Sequence, residues 1–141
     1  VASGKMLVPH FVQRESSEEP LPESGLPISE QTLQWVRKGL EQVVASPSGT
    51  AHRHFSTKFT MAGKTGTAQV PLKDEKNYGE ETIHTFIGFA PAFNPRFAIL
   101  LKINNPKGIN FASNSLSLTF RKLTEFMLNY YGIPPDYNVI K

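Results

Sequence analysis

Apolar residues recur at helical spacing over residues 30–45. The apolar positions of this stretch are Leu33, Val36, Leu40, Val43 and Val44. Steps of three and four residues place these side chains on one face of an α-helix, which can pack against a core. Ser29 precedes the stretch as a helix N-cap, and Pro47 and Gly49 follow it as residues that end a helix. The pattern therefore predicts an amphipathic helix over residues 30–45.

A second helical pattern lies near the end of the chain, over residues 115–131. Its apolar positions are Leu116, Phe120, Leu123, Met127 and Tyr130. Ser113 or Ser115 is the expected N-cap, and Gly132 lies where a glycine commonly ends a helix. The sequence therefore predicts a second amphipathic helix that begins near one of these two serines.

Three stretches between the two helices have the pattern of β-strands. They are residues 57–70, 84–91 and 96–104. Side chains of a strand alternate between its two faces, and the alternation in these stretches predicts neighbouring antiparallel strands. Charged residues together with Asn77 and Gly79 predict a long hairpin loop over residues 71–82.

These elements predict an α+β fold, in which an antiparallel sheet of at least three strands packs against helices. The simplest packing of a strand meander with two amphipathic helices has one apolar face of the sheet in contact with both helices. Trp35 is expected to pack at the margin of the first helix. Residues 1–28 are expected to form an extended and loop segment, and residues 29–141 the helix, the meander and the C-terminal helix.

The composition is that of a folded domain and argues against several classes of function. Of the 141 residues, 39% are hydrophobic and 19% are charged, which is typical of neither a disordered nor a membrane-spanning chain. The net charge of +3 is spread along the chain and does not indicate nucleic-acid binding. There is no cysteine, and the four histidines are too scattered to indicate a metal site, so we expect no metal and no cofactor. His52 and His54 could meet on one face of a strand, but exposed loop positions are the simpler interpretation.

Residues 62–67 read Ala-Gly-Lys-Thr-Gly-Thr and carry the candidate chemistry of the chain. In a strand, Lys64 and Gly66 face one side and Thr65 and Thr67 face the other. The lysine ammonium supplies a charge for an anion or a hydroxyl, and the threonine hydroxyls supply directional hydrogen-bond donors. A glycine within a strand is typical of a place where a ligand or another backbone approaches closely. The motif therefore indicates a strand edge that holds a carboxylate-bearing substrate while its carbonyl is attacked.

The Lys-Thr-Gly sequence resembles a motif of penicillin-binding proteins and serine β-lactamases. The surrounding segments that extend this resemblance are residues 43–51, 86–92, 94–97 and 131–135. In this order, nearly the whole chain resembles the C-terminal part of the transpeptidase domain of class B penicillin-binding proteins. Its ending is most similar to that of the division-type peptidoglycan synthases. The resemblance implies a sheet with Lys-Thr-Gly on an edge strand that faces the catalytic cleft.

The resemblance also implies roles for the residues of the motif. Lys64 and Thr67 are the implied catalytic residues: the backbone N–H of Thr67 is one of two oxyanion donors, and Lys64 acts on the substrate carboxylate and on a neighbouring serine. The hydroxyls of Thr65 and Thr67 bind the substrate carboxylate, and Gly66 leaves room for the substrate along the strand. The implied substrate is the D-Ala-D-Ala end of a peptidoglycan stem peptide, and β-lactam antibiotics are implied ligands of the intact protein.

Two motifs that the family uses are not present in this sequence. They are Ser-x-x-Lys, whose serine is the acylated nucleophile, and Ser-x-Asn, and no serine of the chain begins either one. Both precede Lys-Thr-Gly in the family, so we expect a C-terminal fragment that is inactive alone. The parent protein is expected at the outer face of the cytoplasmic membrane, anchored through an N-terminal helix. Expected partners are the N-terminal part of the same protein and division or elongation proteins.

Two other functions stay open on the sequence. A β-lactam sensor or β-lactamase-related domain shares Lys-Thr-Gly, although residues 88–92 and 133–135 favour a transpeptidase. A non-catalytic module that binds envelope partners can keep the same fold, and the residues that distinguish it from an enzyme do not lie in this chain.

Overall fold

A three-stranded antiparallel sheet with a helix in contact with each of its faces forms the body of the molecule. The computed structural model describes residues 1–9, 23–72 and 77–137. The strands are β1 Lys5–Leu7, β2 Glu23–Gly25, β3 Ala62–Pro71, β4 Tyr78–Ala90 and β5 Phe97–Asn104. The helices are α1 Glu30–Ala45 and α2 Ala112–Tyr130, and a 3₁₀ turn spans His52–His54. No helix among the described residues combines the length and the apolar character that crossing a membrane requires.

The main sheet has the strand order β3–β4–β5, and both strand pairs are antiparallel. Its register places Thr65 opposite Phe86, and Phe86 opposite Leu101. The predicted α+β fold is therefore confirmed, with the three strands as neighbours and the sheet packed against helices. The short strands β1 and β2 pair with each other in a separate sheet.

The strand that carries Lys-Thr-Gly is shorter than predicted, because β3 begins at Ala62 and not at residue 57. The segment before it forms hydrogen bonds with residues outside the sheet instead of pairing with a neighbouring strand. Asp136, near the end of the chain, accepts a hydrogen bond from the backbone N–H of Thr60 at 2.7 Å. Residues 57–61 are thus held by hydrogen bonds to the C-terminal segment and to Ala92, and not by a strand ladder.

The loop predicted over residues 71–82 is in part a strand, because β4 already begins at Tyr78. Pairing continues down the hairpin, with Gln69 opposite Thr82 and Pro71 opposite Tyr78. Glu80 and Glu81 of this stretch are exposed on β4, and a hairpin that has water on both sides accommodates them. Residues 73–76 of the predicted loop lie outside the described residues.

The two helices contact opposite faces of the sheet, so the prediction of a single apolar face for both is wrong. Phe120 of α2 stacks on Phe86 of β4, with ring centroids 4.3 Å apart. Leu40 of α1 packs instead with Ala62 and Phe89. Phe86 and Phe89 are three positions apart on one strand, so their side chains project to opposite faces. We call these the α2 face, which carries Phe86, and the α1 face, which carries Phe89.

Helix α1 has the predicted bounds and the predicted N-cap. The hydroxyl of Ser29 accepts a hydrogen bond from the backbone N–H of Thr32 at 3.1 Å. Leu33 and Val44 of the apolar stripe are buried. Trp35, in contrast, is 67% exposed and does not pack at the margin of that stripe as expected.

Helix α2 begins at Ala112, earlier than the predicted caps Ser113 and Ser115. Its N-cap is Phe111, which has no polar side chain to satisfy the first N–H groups of the helix. The N–H of Ala112 donates instead to Oγ1 of Thr67 on β3 at 3.0 Å. A distant strand therefore provides the hydrogen-bond acceptor that the sequence pattern predicted in a serine at the start of the helix.

Candidate functional site

The Lys-Thr-Gly motif lies on β3, at an edge of the main sheet. One side of β3 pairs with β4, and within residues 1–9, 23–72 and 77–137 no strand pairs with its other side. The free side of an edge strand presents backbone N–H and C=O groups that can bind an extended peptide as an added strand. The motif therefore lies where backbone and side chains can hold a peptide together.

Lys64 projects from the α1 face of β3, opposite Ile87 of β4. Its side chain is exposed, and Nζ donates a hydrogen bond to the carbonyl oxygen of Thr65 at 2.7 Å. An ammonium has three N–H donors, so this bond leaves two for a ligand. The lysine thus places a positive charge beside the strand edge, where it can bind an anion.

Thr65 and Thr67 project from the α2 face, opposite Phe86 and His84 respectively. Oγ1 of Thr67 accepts the hydrogen bond from the N–H of Ala112. Because a lone pair of this oxygen is occupied, the hydroxyl proton remains available to donate to another group. The first turn of α2 lies beside the same hydroxyl, and the helix dipole favours negative charge there.

Gly66 packs against Thr85 of β4. A Cβ atom at position 66 would lie 2.5 Å from Oγ1 of Thr85. The same hydroxyl donates to the carbonyl oxygen of Gly66 at 3.4 Å. A side chain at this position would therefore displace the hydroxyl of Thr85, so the sheet favours glycine here in addition to the room for substrate that the sequence suggests.

Two further glycines beside the motif leave room for the stacked rings of Phe86 and Phe120. Gly63 and Gly88 lie opposite each other in the register of β3 and β4. A Cβ atom at Gly63 would lie 2.5 Å from the ring of Phe86, and one at Gly88 would lie 2.5 Å from the ring of Phe120. The aromatic pair thus packs directly on the backbone next to Lys64 and fixes β3 relative to β4.

His84 is a buried residue beside the motif that the sequence reasoning missed. Its side chain is 0% exposed, and it lies opposite Thr67 in the sheet. Its Nδ1 atom is 2.8 Å from Oγ of Ser115, and its Nε2 atom is 3.1 Å from Oγ1 of Thr82. Local sequence carries no signal for this placement, because only the pairing of β3 with β4 brings His84 to the motif.

His52 and His54 lie in the 3₁₀ turn and not on a strand, and both are half-buried, so the interpretation as exposed loop histidines is wrong. The ring of His52 stacks on Phe55 with centroids 4.9 Å apart. Burial, together with the positive charges of Arg53 and Arg121, lowers the pKa of His54 below its ordinary value. Among the residues that the structure describes, no group of three His, Cys, Asp or Glu side chains could hold a metal ion.

Comparison with known proteins assigns most of the chain to one family. The family model of the penicillin-binding protein transpeptidase domain matches residues 1–125. Stage V sporulation protein D of Bacillus subtilis is 37% identical over 115 residues, which are 81% of this chain and 17% of that protein. The chain thus spans less than a fifth of the length of this relative.

Solved structures are similar over most of the chain. The transpeptidase domain of penicillin-binding protein 3 from Burkholderia pseudomallei has a TM-score of 0.75 and 26% identity, over 95% of this chain and 40% of that one. Penicillin-binding protein 3 from Mycobacterium tuberculosis, in complex with aztreonam, has a TM-score of 0.72 and 28% identity, over 84% of this chain and 28% of that one. The described fold is therefore similar to part of each of these larger chains.

Proposed function

The chain belongs to the transpeptidase domain family of class B penicillin-binding proteins, and from this premise we propose that it is the C-terminal, substrate-binding part of a serine D,D-transpeptidase. Relatives of the chain are peptidoglycan D,D-transpeptidases. No serine of this sequence begins a Ser-x-x-Lys or a Ser-x-Asn motif. In the proposal, the acylated serine and its base therefore come from a part of the protein outside this chain.

The proposed roles follow from what acyl transfer to a serine requires. Charge develops on the carbonyl oxygen of the substrate as the serine attacks, and N–H donors that point at this oxygen stabilise the transition state. The backbone N–H of Thr67 is one such donor in the proposal. The hydroxyls of Thr65 and Thr67 bind the substrate carboxylate, and the ammonium of Lys64 strengthens the positive field around it. Gly66 lets the peptide lie close to the strand.

The observation that carries this proposal is the position of the motif on a free strand edge. The exposed ammonium of Lys64 and the hydroxyl of Thr67 both lie at this edge, although they project from opposite faces of β3. A peptide that binds along the edge meets both groups, since the two faces of an edge strand adjoin there. A carboxylate-bearing peptide such as a D-Ala-D-Ala stem peptide fits this chemistry, and β-lactams fit as its analogues.

The proposed setting is the cell envelope, at the outer face of the cytoplasmic membrane, where peptidoglycan is cross-linked. The proposed partners are the N-terminal part of the same protein and the proteins of division or elongation. A β-lactam sensor and a non-catalytic envelope module are the competing functions. Two measurements distinguish the transpeptidase from these two functions. They are the dependence of acylation on Lys64 and the cross-linking of stem peptides.

Replacement of Lys64 by alanine in the intact protein is expected to slow acylation without unfolding it. Removal of a charge positioned beside the reacting substrate lowers the second-order rate constant for acylation by a fluorescent penicillin by ~10-fold or more. The free energy of unfolding changes by no more than ~0.5 kcal/mol, because the side chain is exposed. Thr65→Val, which replaces the hydroxyl by a methyl group of similar size, weakens substrate binding by ~1.5–3 kcal/mol.

Lys102 provides the matched control for this experiment. It is an exposed strand lysine on the α1 face, opposite Thr85, but on β5 and away from the free edge of β3. Lys102→Ala should leave acylation unchanged, and the chain without its N-terminal part should not be acylated at all. If the Lys64→Ala variant is acylated at the parent rate but has a much lower Tm, Lys64 is structural and the catalytic proposal fails. Acylation without cross-linking of stem peptides indicates a β-lactam sensor.

A further inference from the structure

His84 connects β4, the neighbour of the motif strand, to the first turn of α2 through partly buried hydrogen bonds. The Ser115 hydroxyl donates to the carbonyl oxygen of Ala112 at 3.4 Å, and its oxygen forms a hydrogen bond with Nδ1 of His84 at 2.8 Å. The Nε2 atom of His84 forms a hydrogen bond with the hydroxyl of Thr82 at 3.1 Å. Both ring nitrogens of this completely buried side chain are thus satisfied.

The same helix turn makes the hydrogen bond that orients Thr67. Ala112 offers its carbonyl oxygen to Ser115 and its N–H to Oγ1 of Thr67. Thr67 and His84 are also cross-strand partners on the α2 face. The bonds from His84 through Ser115 to Ala112 therefore end at the hydroxyl to which the proposed function assigns the substrate carboxylate.

We propose that His84 and Ser115 are positioning residues for substrate binding by Thr67. They hold the first turn of α2 so that the N–H of Ala112 occupies a lone pair of Thr67 Oγ1. The hydroxyl proton of Thr67 is then directed away from the helix and toward the carboxylate, and the bond that Oγ1 accepts polarises this O–H and strengthens it as a donor. This inference rests on the proposed function and adds to it the residues that fix the direction of one of its donors.

The inference is tested by a double-mutant cycle in the intact protein, with acylation by a fluorescent penicillin and thermal unfolding as the two readouts. Ser115→Ala removes the hydrogen-bond partner of His84 Nδ1 but no group that contacts the substrate, and it is expected to lower the acylation rate constant by about three- to tenfold. In a Thr67→Val background, the same substitution should change acylation by less than about twofold, because the hydroxyl that it orients is gone. The Tm of each variant shows whether its loss of acylation exceeds what unfolding at the assay temperature accounts for.

Ser117 offers a matched control in the same helix. Its hydroxyl is buried and has no hydrogen-bond partner among the described residues. Ser117→Ala should leave acylation unchanged in both backgrounds. The His84→Asn variant, which keeps a polar group near the position of Nδ1, should be acylated faster than the His84→Leu variant even if both have a lower Tm.

Two results would overturn the inference in different ways. If Ser115→Ala slows acylation equally with and without the Thr67 hydroxyl, or not at all in the parent, the positioning role is wrong while the proposed function stands. If the Thr67→Val variant is itself acylated at the parent rate, the proposed role of the Thr67 hydroxyl in substrate binding is wrong. The positioning role of His84 and Ser115 is then wrong as well.

Discussion

The two faces of the central sheet differ in how completely they are covered. On the α2 face, the side chains of His84 and Phe86 are at most 1% exposed, and Phe120 closes over Gly88. On the α1 face, Phe89 is buried, but Ile87 is 55% exposed and its cross-strand partner Leu100 is 63% exposed. A single strand thus has a closed core on one side and a largely open surface on the other.

The open face lies next to the proposed site. An apolar cavity of about 320 Å³ adjoins Lys64 on the α1 face, and its lining includes Leu40, Ile87 and Ala98. The closed face holds β3 and β4 in fixed register, while the open face leaves Lys64 accessible. Rigidity and access are thus divided between the two sides of the same strands, and a rigid strand suits an edge that binds a ligand in a fixed geometry.

The largest effect is expected from truncation of the aromatic pair on the closed face. Phe86→Ala removes a buried ring that stacks on Phe120 and leaves a cavity, so the free energy of unfolding should fall by ~3–5 kcal/mol. Denaturant unfolding measures this loss. Phe126 is the control, because it is also a phenylalanine that stacks on another ring, Tyr130, but is 64% exposed. Equal losses for Phe86→Ala and Phe126→Ala would contradict the assignment of the closed face.

A smaller loss is expected when a methyl group is added beneath the aromatic pair. Gly88→Ala places a Cβ atom 2.5 Å from the ring of Phe120 and 2.5 Å from the backbone oxygen of Ala62, and the overpacking should cost ~1–3 kcal/mol of unfolding free energy. Gly39 in α1 is the matched site, since nothing lies within 4 Å of its Cβ position. Gly39→Ala should instead stabilise the protein by ~0.5–1 kcal/mol. A Gly88→Ala variant as stable as the parent would show that the closed face is loosely packed.

The smallest effect is expected on the open face, one residue away from Phe86. Ile87→Ala should lower the free energy of unfolding of this chain by less than ~1 kcal/mol, because more than half of the side chain is already in contact with water. The same substitution in the intact protein sharpens the comparison. A loss there of ~2 kcal/mol or more would mean that another segment covers the α1 face in the longer chain. A loss of that size in this chain alone would refute the openness of the face.

The sequence was sufficient to predict elements whose signals are local. The bounds of α1 follow from apolar spacing and from the Ser29 cap, which bonds to Thr32 only three residues away. The strand that carries Lys64 follows from the motif and its neighbours. The boundary at Ala62 did not follow, because the residues before it bond to Asp136, and a partner 76 residues away leaves no trace in local alternation.

What the sequence determined by itself is the type and order of the elements, the motif and, through the resemblance that the motif and its neighbours carry, the family. The tertiary structure alone decided which face of the sheet each helix covers. Residues 86–89 include no polar side chain, so alternation of polar and apolar residues cannot distinguish the inner face of this strand from its outer face. It also decided where α2 begins, since Ala112 takes its partner from a strand 45 residues earlier. His84 likewise reaches the motif only through strand register. Helical and strand periods arise from residues only a few positions apart in the sequence. The face that each helix covers, a helix cap from a distant strand and the hydrogen-bond partners of a buried side chain arise from contacts that form only when the chain has folded.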